Sequence, residues 1–269
     1  MKQLIQHILG QFGYRLQKLS KIKSFTPFIR NLNFPDVSFQ MWIANQEASA
    51  WYEQEHLLEC GELQALQSLA KNGDRILEIG AHHGVTALLL SKIVGQNGYV
   101  YGVEAHPNNT MVAQAQLGLN RSINNLHFVN LAACDVSGTA RINACHNSNL
   151  TSEIKDSIEV EAVTGDMLDK QNGPFNFLKI DVEGYELEVL KGCQGILARA
   201  PKIALEIHMD TIRKRGQSLA DILDLIGIQR YEGVMSVRPD KFREIETFDP
   251  SAIPEDSITN ILLQAKEQF

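Results

Sequence analysis

DRILEIGAHHG, residues 74–84, decides the fold, because it joins a short apolar strand to a helix through a glycine turn. Residues 76–79 predict a buried strand, and residues 85–94, directly after the turn, predict a helix. Such a turn places the N–H groups of a helix N-terminus where they can bind a carboxylate or phosphate, and its glycines let a ligand approach the backbone. The segment therefore predicts the ligand-binding turn of an α/β protein.

The same rhythm of strand and helix continues on the C-terminal side of this turn. Further strands are predicted over residues 99–103, 126–131, 175–180, 202–207 and 258–263, with two extra candidates over 139–144 and 158–163. Further helices are predicted over residues 111–119 and 219–226, and from residue 185 onwards. This alternation predicts an α/β fold with a mostly parallel sheet and helices on both faces.

The N-terminal part has a different character. Residues 1–35 hold six of the 25 basic residues and none of the 32 acidic ones. Apolar residues at helical spacing predict a basic amphipathic helix over residues 1–23, whose apolar face either packs against the protein or a second subunit, or lies on an anionic membrane surface. Residues 24–46, with two prolines, are predicted to be an irregular connection, and residues 48–70 a helix.

Composition excludes several classes of protein. The chain has 269 residues, of which 44% are hydrophobic and 21% charged, as in ordinary globular proteins. The net charge is −7, and residues 36–269 hold 19 basic and 32 acidic residues, which argues against a nucleic-acid partner because such binding depends on Lys and Arg. The four cysteines form no CxxC pair, which indicates reduced thiols in a cytoplasmic protein. The N-terminus lacks the continuous apolar segment of a secretory signal.

An acidic residue after the glycine turn bears on the ligand. Glu104 ends a predicted strand and stands 24 positions after Gly80, where a carboxylate can accept both ribose hydroxyls of an adenosine-containing ligand. A dinucleotide site would have a GxGxxG turn, but Ala81 and two histidines occupy this one. An acid, Glu78, also precedes Gly80 by two positions. S-adenosylmethionine (SAM) has an amino group and a sulfonium but no phosphate, so it suits an acidic turn with fewer glycines. SAM is therefore the favoured ligand, with NAD as the alternative.

Ionisable residues also end two later strands. In FLKIDVEGYE, residues 177–186, Asp181 and Glu183 follow the strand, and in the next strand Glu206 and His208 share one face. Ligands of open α/β sheets bind outside the carboxyl ends of the strands, so these groups are predicted to border the site. Asp181 and Glu183 have a second interpretation as caps of the following helix, and His208 as an ordinary exposed histidine.

At these segments the chain resembles the FkbM-type methyltransferases, SAM-dependent enzymes with the class I methyltransferase fold. The matching segments are NGDRILEIGAHHG, GVEAHPNN, NLAACDVSG, LKIDVEGYELEVLKG and APKIALEIH. They span about residues 72–210, and ITNILLQ near the C-terminus resembles the last strand of the family. The N-terminal 70 residues fall outside this resemblance. From the pattern along the whole chain we expect a methyltransferase domain over residues 47–269, preceded by a basic amphipathic extension and connection over residues 1–46.

The resemblance also implies a reaction and a set of site residues. The reaction is methyl transfer from SAM to a hydroxyl of a sugar, glycan or natural-product small molecule. The implied cofactor-binding residues are Gly80, Ala81 and Gly84 at the methionine part, Glu78 at the amino group, Glu104 at the ribose and Ala133 at the adenine. The residues implied at the reacting centre are Asp181, Glu206 and His208.

Two questions about the reacting centre stay open at this point. A general base has to accept the hydroxyl proton; Asp181 is the first choice, and His208 has the better intrinsic pKa at neutral pH. Alternatively, these two residues and Glu206 hold a divalent cation that orients and acidifies the hydroxyl. An NAD-dependent oxidoreductase and a non-catalytic SAM-binding or membrane-associated protein remain the alternative functions.

Overall fold

A computed structural model describes residues 25–58, 61–143, 157–238, 246–255 and 257–266 of the chain. The strands are β1 (Phe28–Asn33), β2 (Ser38–Ile43), β3 (Arg75–Ile79), β4 (Tyr99–Glu104), β5 (Leu126–Asn130), β6 (Ala132–Ala133), β7 (Gly138–Asn143), β8 (Ser157–Val163), β9 (Phe177–Ile180), β10 (Lys202–His208), β11 (Tyr231–Arg238), β12 (Glu246–Thr247) and β13 (Ile258–Ala265). The α-helices are α1 (Gln46–Trp51), α2 (Gln54–Leu58), α3 (Gly61–Leu69), α4 (Val85–Val94), α5 (Pro107–Leu119), α6 (Gly165–Asn172), α7 (Glu186–Lys191), α8 (Gln194–Ala198), α9 (Met209–Lys214) and α10 (Leu219–Ile226).

Eight of the described strands form the central sheet, in the order β12-β11-β13-β10-β9-β3-β4-β5. Strands β3, β4, β5, β9 and β10 run parallel, whereas β13 lies antiparallel between β10 and β11. The first strand of the parallel set, β3, has β4 on one side and the later strand β9 on the other. The order of connection therefore reverses beside β3, and such a switch point opens a crevice at the carboxyl ends of the strands.

Apolar side chains on the two faces of the sheet form two large clusters. In β3, Leu77 and Ile79 belong to one cluster and Ile76 to the other, because successive strand residues point to opposite faces. Helix α4 covers the Ile76 face with its buried leucines, and α10 covers the opposite face. Burial on both sides explains why the central strands are short apolar runs, the pattern from which a parallel sheet was predicted.

The predicted α/β architecture is confirmed, and the helices predicted over residues 85–94 and 219–226 coincide with α4 and α10. The two extra strand candidates correspond to β7 and β8, which pair with each other and, through β8, with β6 in a separate three-stranded sheet. The helix predicted over residues 1–23 lies outside the described residues. Among those that are described, no helix is both long enough and apolar enough to cross a bilayer.

The irregular connection predicted over residues 24–46 is wrong, because β1 and β2 form an antiparallel hairpin there. Phe39, Met41 and Ile43 alternate on β2 and are buried in the core. The hairpin turns at Phe34, whose N–H donates to the carbonyl of Val37 at 2.7 Å. Of the two prolines that suggested irregular structure, Pro27 therefore precedes β1 and Pro35 lies in the turn, so neither interrupts the strand pairing.

The single helix predicted over residues 48–70 is also wrong, because α1, α2 and α3 divide this segment. Asn45 caps α1 by accepting a hydrogen bond from the N–H of Ala48 at 2.7 Å. Tyr52 ends the helix and turns into the interior, where it is 7% exposed and its hydroxyl is hydrogen-bonded to Nδ1 of His82. This contact with the glycine turn, 30 positions away, separates α1 from α2.

Candidate active site

A cavity of about 450 Å³ lies at the carboxyl ends of β3, β4, β9 and β10. Its wall combines apolar residues, aromatic residues from α1 and many ionisable groups. The ionisable residues in the wall include Glu62, Glu78, Glu104, Lys179, Asp181, Glu183, Glu206 and His208. The structure thus brings together the acids and the histidine that the sequence predicted at the ends of separate strands.

The glycine turn shapes one side of this cavity. Gly80 has a φ of +89°, and a Cβ there would lie 1.7 Å from the carbonyl oxygen of Asp181, so glycine lets the turn approach the end of β9. Gly80 and Ala81 line the cavity as predicted. Gly84 was also predicted to line the cavity, but it packs against the Phe128 ring instead, where a Cβ would lie 2.6 Å from Cζ. Gly84 has a φ of +86° and is the N-cap residue of helix α4.

Backbone donors hold the carboxylate of Glu104. Its Oε2 accepts a hydrogen bond from the N–H of His82 and its Oε1 from the N–H of His106, both at 2.8 Å. Burial raises the pKa of Glu104, and these two hydrogen bonds counteract part of that rise. The carboxylate is therefore fixed in orientation at the end of β4, and Ala133 lines the same cavity.

Glu78 is the most buried acid of this part of the wall, with 1% of its surface exposed. Its Oε2 has no hydrogen-bond partner among the residues that the structure describes. Burial raises the pKa of Glu78 to about 8, although the nearby ammonium group of Lys179 lowers it. A buried carboxyl group that lacks a donor suits a ligand that brings a positive charge or an N–H group.

Lys179 places a cation in the floor of the cavity. Its Nζ lies 3.4 Å from Oδ2 of Asp181 and 3.9 Å from Oε1 of Glu62, which belongs to α3. Burial lowers the pKa of Lys179, but the carboxylates of Asp181 and Glu62 outweigh it, so that the pKa is raised. The lysine is therefore charged and links the N-terminal helices to the end of β9.

His208 lies among three carboxylates. Its Nδ1 is 2.9 Å from Oε1 of Glu186, and its Nε2 is 3.2 Å from Glu183 and 3.6 Å from Glu206. Burial lowers its pKa, but the hydrogen bonds to Glu183 and Glu186 outweigh it and raise the pKa to about 11. The imidazole is therefore protonated in these surroundings. This corrects the expectation of a histidine with an ordinary pKa near neutrality.

Some residues of the site were missed by sequence reasoning. Lys179 had a usable signal, because it stands two positions before Asp181 on the same face of β9. Glu186 gave none, since its contact with His208 joins residues 22 positions apart. Tyr52 and Glu62 come from the segment interpreted as one continuous helix, which predicted no contact with the cavity.

The fold and the cavity together define a class I methyltransferase, a class of proteins that bind SAM. The parallel strands, the antiparallel strand β13 between β10 and β11, and the acid at the end of the second parallel strand all have their places in that fold. The sequence profile of the methyltransferase FkbM domain matches residues 78–233, more than half of the chain. The protein belongs to this family, as its motifs suggested.

Individual relatives are more distant. Over 59 residues the chain is 39% identical to the protein-L-isoaspartate O-methyltransferase of Fervidobacterium nodosum, and this match spans 22% of the chain and 29% of the relative. The methyltransferase FkbM of Methylobacillus flagellatus is 15% identical, with a TM-score of 0.49 over 82% of this chain and 56% of that one. An O-methyltransferase from Bacillus cereus, solved with SAH, is 13% identical, with a TM-score of 0.43 over 76% and 80%.

Proposed function

We propose that this protein transfers a methyl group from SAM to a hydroxyl group of a sugar, a glycan or a natural-product small molecule. The observation that carries the proposal is the acid-lined cavity at the switch point of the sheet, within a chain of the FkbM family. We call the part formed by Glu78, Gly80, Ala81, Glu104 and Ala133 the cofactor end. The part formed by Asp181, Glu206 and His208 is the acceptor end.

The cofactor end fits SAM by the chemistry of its groups. The buried Oε2 of Glu78 lacks a donor among the described residues, and the ammonium group of SAM can supply one. Glu104 is held by backbone donors at the end of β4, where its oxygens can also accept the ribose hydroxyls. Val103, Leu131 and Ala133 form an apolar wall suited to an adenine ring.

The acceptor end supplies the chemistry that an alcohol requires. SAM brings a methyl group bound to a positively charged sulfur atom, which an oxygen nucleophile attacks. An alcohol is a weak nucleophile, so a group beside it must accept its proton during the attack. The carboxylates of Asp181 and Glu206 can bind the hydroxyl and orient it, and they favour the positive charge that the cofactor brings into the cavity.

The acidic surface argues for a small uncharged acceptor. A net charge of −7 would repel nucleic acids, and the cavity wall around the acceptor end is itself rich in carboxylates. Sugar hydroxyls are well matched to carboxylate acceptors. The cytoplasm is the expected compartment, and the free, buried thiols of Cys134 and Cys193 agree with reducing conditions.

Calorimetry tests the cofactor first. We expect SAM and SAH to bind at one site and NAD to show no heat of binding. Incubation with SAM labelled in the methyl group, together with a panel of sugars, glycans and polyketides, should then transfer the label to an oxygen atom of one acceptor class. Binding of NAD without binding of SAM would contradict the proposal, and transfer of label only to nitrogen or to nucleic acid would contradict the acceptor.

A further inference from the structure

The acceptor end carries a set of groups that the proposed chemistry does not fully use. Asp181, Glu206 and His208 each offer one ligand atom, and these atoms all lie within 4.8 Å of one another. Glu206 and His208 are nearly buried, at 6% and 7% exposure. Two carboxylates and one imidazole converging from two adjacent strands form the kind of face that binds a divalent metal ion and leaves other positions open.

A buried carboxylate behind the histidine sets its orientation. Oε1 of Glu186, a fully buried residue, lies 2.9 Å from Nδ1 of His208 and accepts a hydrogen bond from the N–H of Gly184 at 2.9 Å. This contact directs Nε2 towards Glu206 and the cavity. Histidines that bind metal ions commonly donate their other ring N–H to such a carboxylate, which fixes the ring.

A second and independent observation lies on the neighbouring strand. Asn260 of β13 is directly opposite Glu206 in the antiparallel pair, so both side chains stand on one face of the sheet. Asn260 is 2% exposed, and its Nδ2 has no hydrogen-bond partner in the described part of the chain. A buried amide opposite Glu206 requires an acceptor, and a water molecule bound to a cation at Glu206 would provide one.

We propose that Asp181, Glu206 and His208 bind one divalent cation of the Mg²⁺ or Mn²⁺ class, which in turn binds the acceptor hydroxyl. This inference rests on the proposed methyl transfer, which it deepens. Carboxylate ligands favour these ions, and Mn²⁺ also accepts imidazole. The ion takes the place of the proton on Nε2 of His208, because metal binding displaces protons from its ligands.

The cation would act on the hydroxyl directly. A divalent ion lowers the pKa of a bound oxygen and makes it a better nucleophile. The new bond between oxygen and the methyl carbon then forms as the bond between sulfur and that carbon breaks, and SAM becomes neutral SAH. The hydroxyl proton goes to the carboxylate of Glu183, which lies 3.2 Å from Nε2 of His208 and is 33% exposed to solvent.

Electron paramagnetic resonance of Mn²⁺ added to the full-length wild-type protein tests the site without any activity assay. We expect one bound Mn²⁺ that Mg²⁺ displaces. Glu206→Gln should weaken Mn²⁺ binding by about tenfold or more through loss of a ligand, and Glu186→Gln by about 10- to 100-fold through loss of the group that orients His208. Glu161→Gln, an exposed acid on β8, is the control and should bind Mn²⁺ as the wild type does.

The Mn²⁺ measurement on the wild-type protein tests the proposed cation site even if a variant fails to fold. Absence of a bound ion up to about 1 mM Mn²⁺ would overturn the inference, and so would equal binding by the wild type and folded variants. Calorimetry with SAH on the same samples separates the two proposals. If the protein binds SAH but not Mn²⁺, only the metal site is refuted. If it binds neither SAH nor SAM, the methyltransferase proposal itself is refuted.

Discussion

The cofactor end and the acceptor end of the cavity hold their carboxylates in different ways. At the cofactor end, backbone N–H groups of His82 and His106 fix Glu104. At the acceptor end, side-chain cations lie beside the carboxylates, with Lys179 next to Asp181 and His208 next to Glu206. Backbone N–H groups are neutral, do not titrate and are held in place by the chain, whereas side-chain cations can change rotamer and exchange protons. One end is thus suited to constant binding and the other to proton and charge movement.

The largest effect should follow from changing Asp181, the acid nearest Lys179. Asp181→Asn removes a negative charge from the acceptor end while keeping the size of the side chain. We expect turnover of the identified acceptor to fall by roughly 10²- to 10³-fold, because loss of a charged group that positions the reacting hydroxyl, directly or through the cation, has effects of that size. SAH affinity should change by less than about threefold, since no cofactor contact is lost. Single-turnover methyl transfer and calorimetry measure the two quantities.

Glu161→Gln controls for the loss of one negative charge, because Glu161 is exposed on β8. It should leave both turnover and SAH affinity at the wild-type values. If Asp181→Asn weakened SAH binding as strongly as it slowed turnover, the acid would belong to cofactor binding, and the division of the cavity into two ends would be wrong.

A smaller effect is expected at the other end, from Glu104→Ala. SAM affinity should fall by about 1–3 kcal/mol, because the ribose hydroxyls lose their acceptor. The N–H groups of His82 and His106 lose theirs as well, so the free energy of unfolding should also decrease, by about 1–3 kcal/mol. Calorimetry without acceptor and urea unfolding measure the two losses. Unchanged SAM affinity in a folded variant would place the ribose elsewhere.

At both ends the sequence could predict the residues at strand ends but not their partners. The carboxyl ends of parallel strands lie at one edge of a sheet, so Glu104, Asp181 and Glu206 were expected to border the same site. Their partners could not be found in the same way. The link between Glu186 and His208, like that between Lys179 and Glu62, joins side chains from different elements, and no local pattern encodes such a meeting.

Tertiary contacts also explain the errors in the fold. Apolar spacing over residues 48–70 is helical throughout, yet the hydroxyl of Tyr52 binds His82 and the helix ends there. The hairpin of β1 and β2 was hidden by its prolines, although Phe39, Met41 and Ile43 alternate as in a half-buried strand. The central strands were predictable because they are buried on both faces. Such strands are continuous apolar runs in the sequence, whichever helices cover them.

Glu78 departs from the pattern of both ends, since its buried Oε2 has no partner among the described residues. Its pKa, about 8 in the fold, exceeds the ordinary value of 4.5. Between these two pH values the folded protein binds the proton more tightly than the unfolded chain does. The stability of the SAM-free protein should therefore decrease as pH rises across this interval, by at most about 1.4 kcal/mol per pH unit from this group.

Glu78→Gln removes this titration, so its effect on stability depends on pH. Urea unfolding at several pH values between 5 and 9 should show the variant gaining stability relative to the wild type as pH rises, by at most about 4 kcal/mol in total, and this gain should level off above pH 8. The same variant should bind SAM less tightly, because the amide cannot pair with the ammonium group as a carboxylate does. A constant difference across the pH range would show that Glu78 titrates normally. The carboxylate of Glu78 would then be stabilised in its charged form before SAM binds.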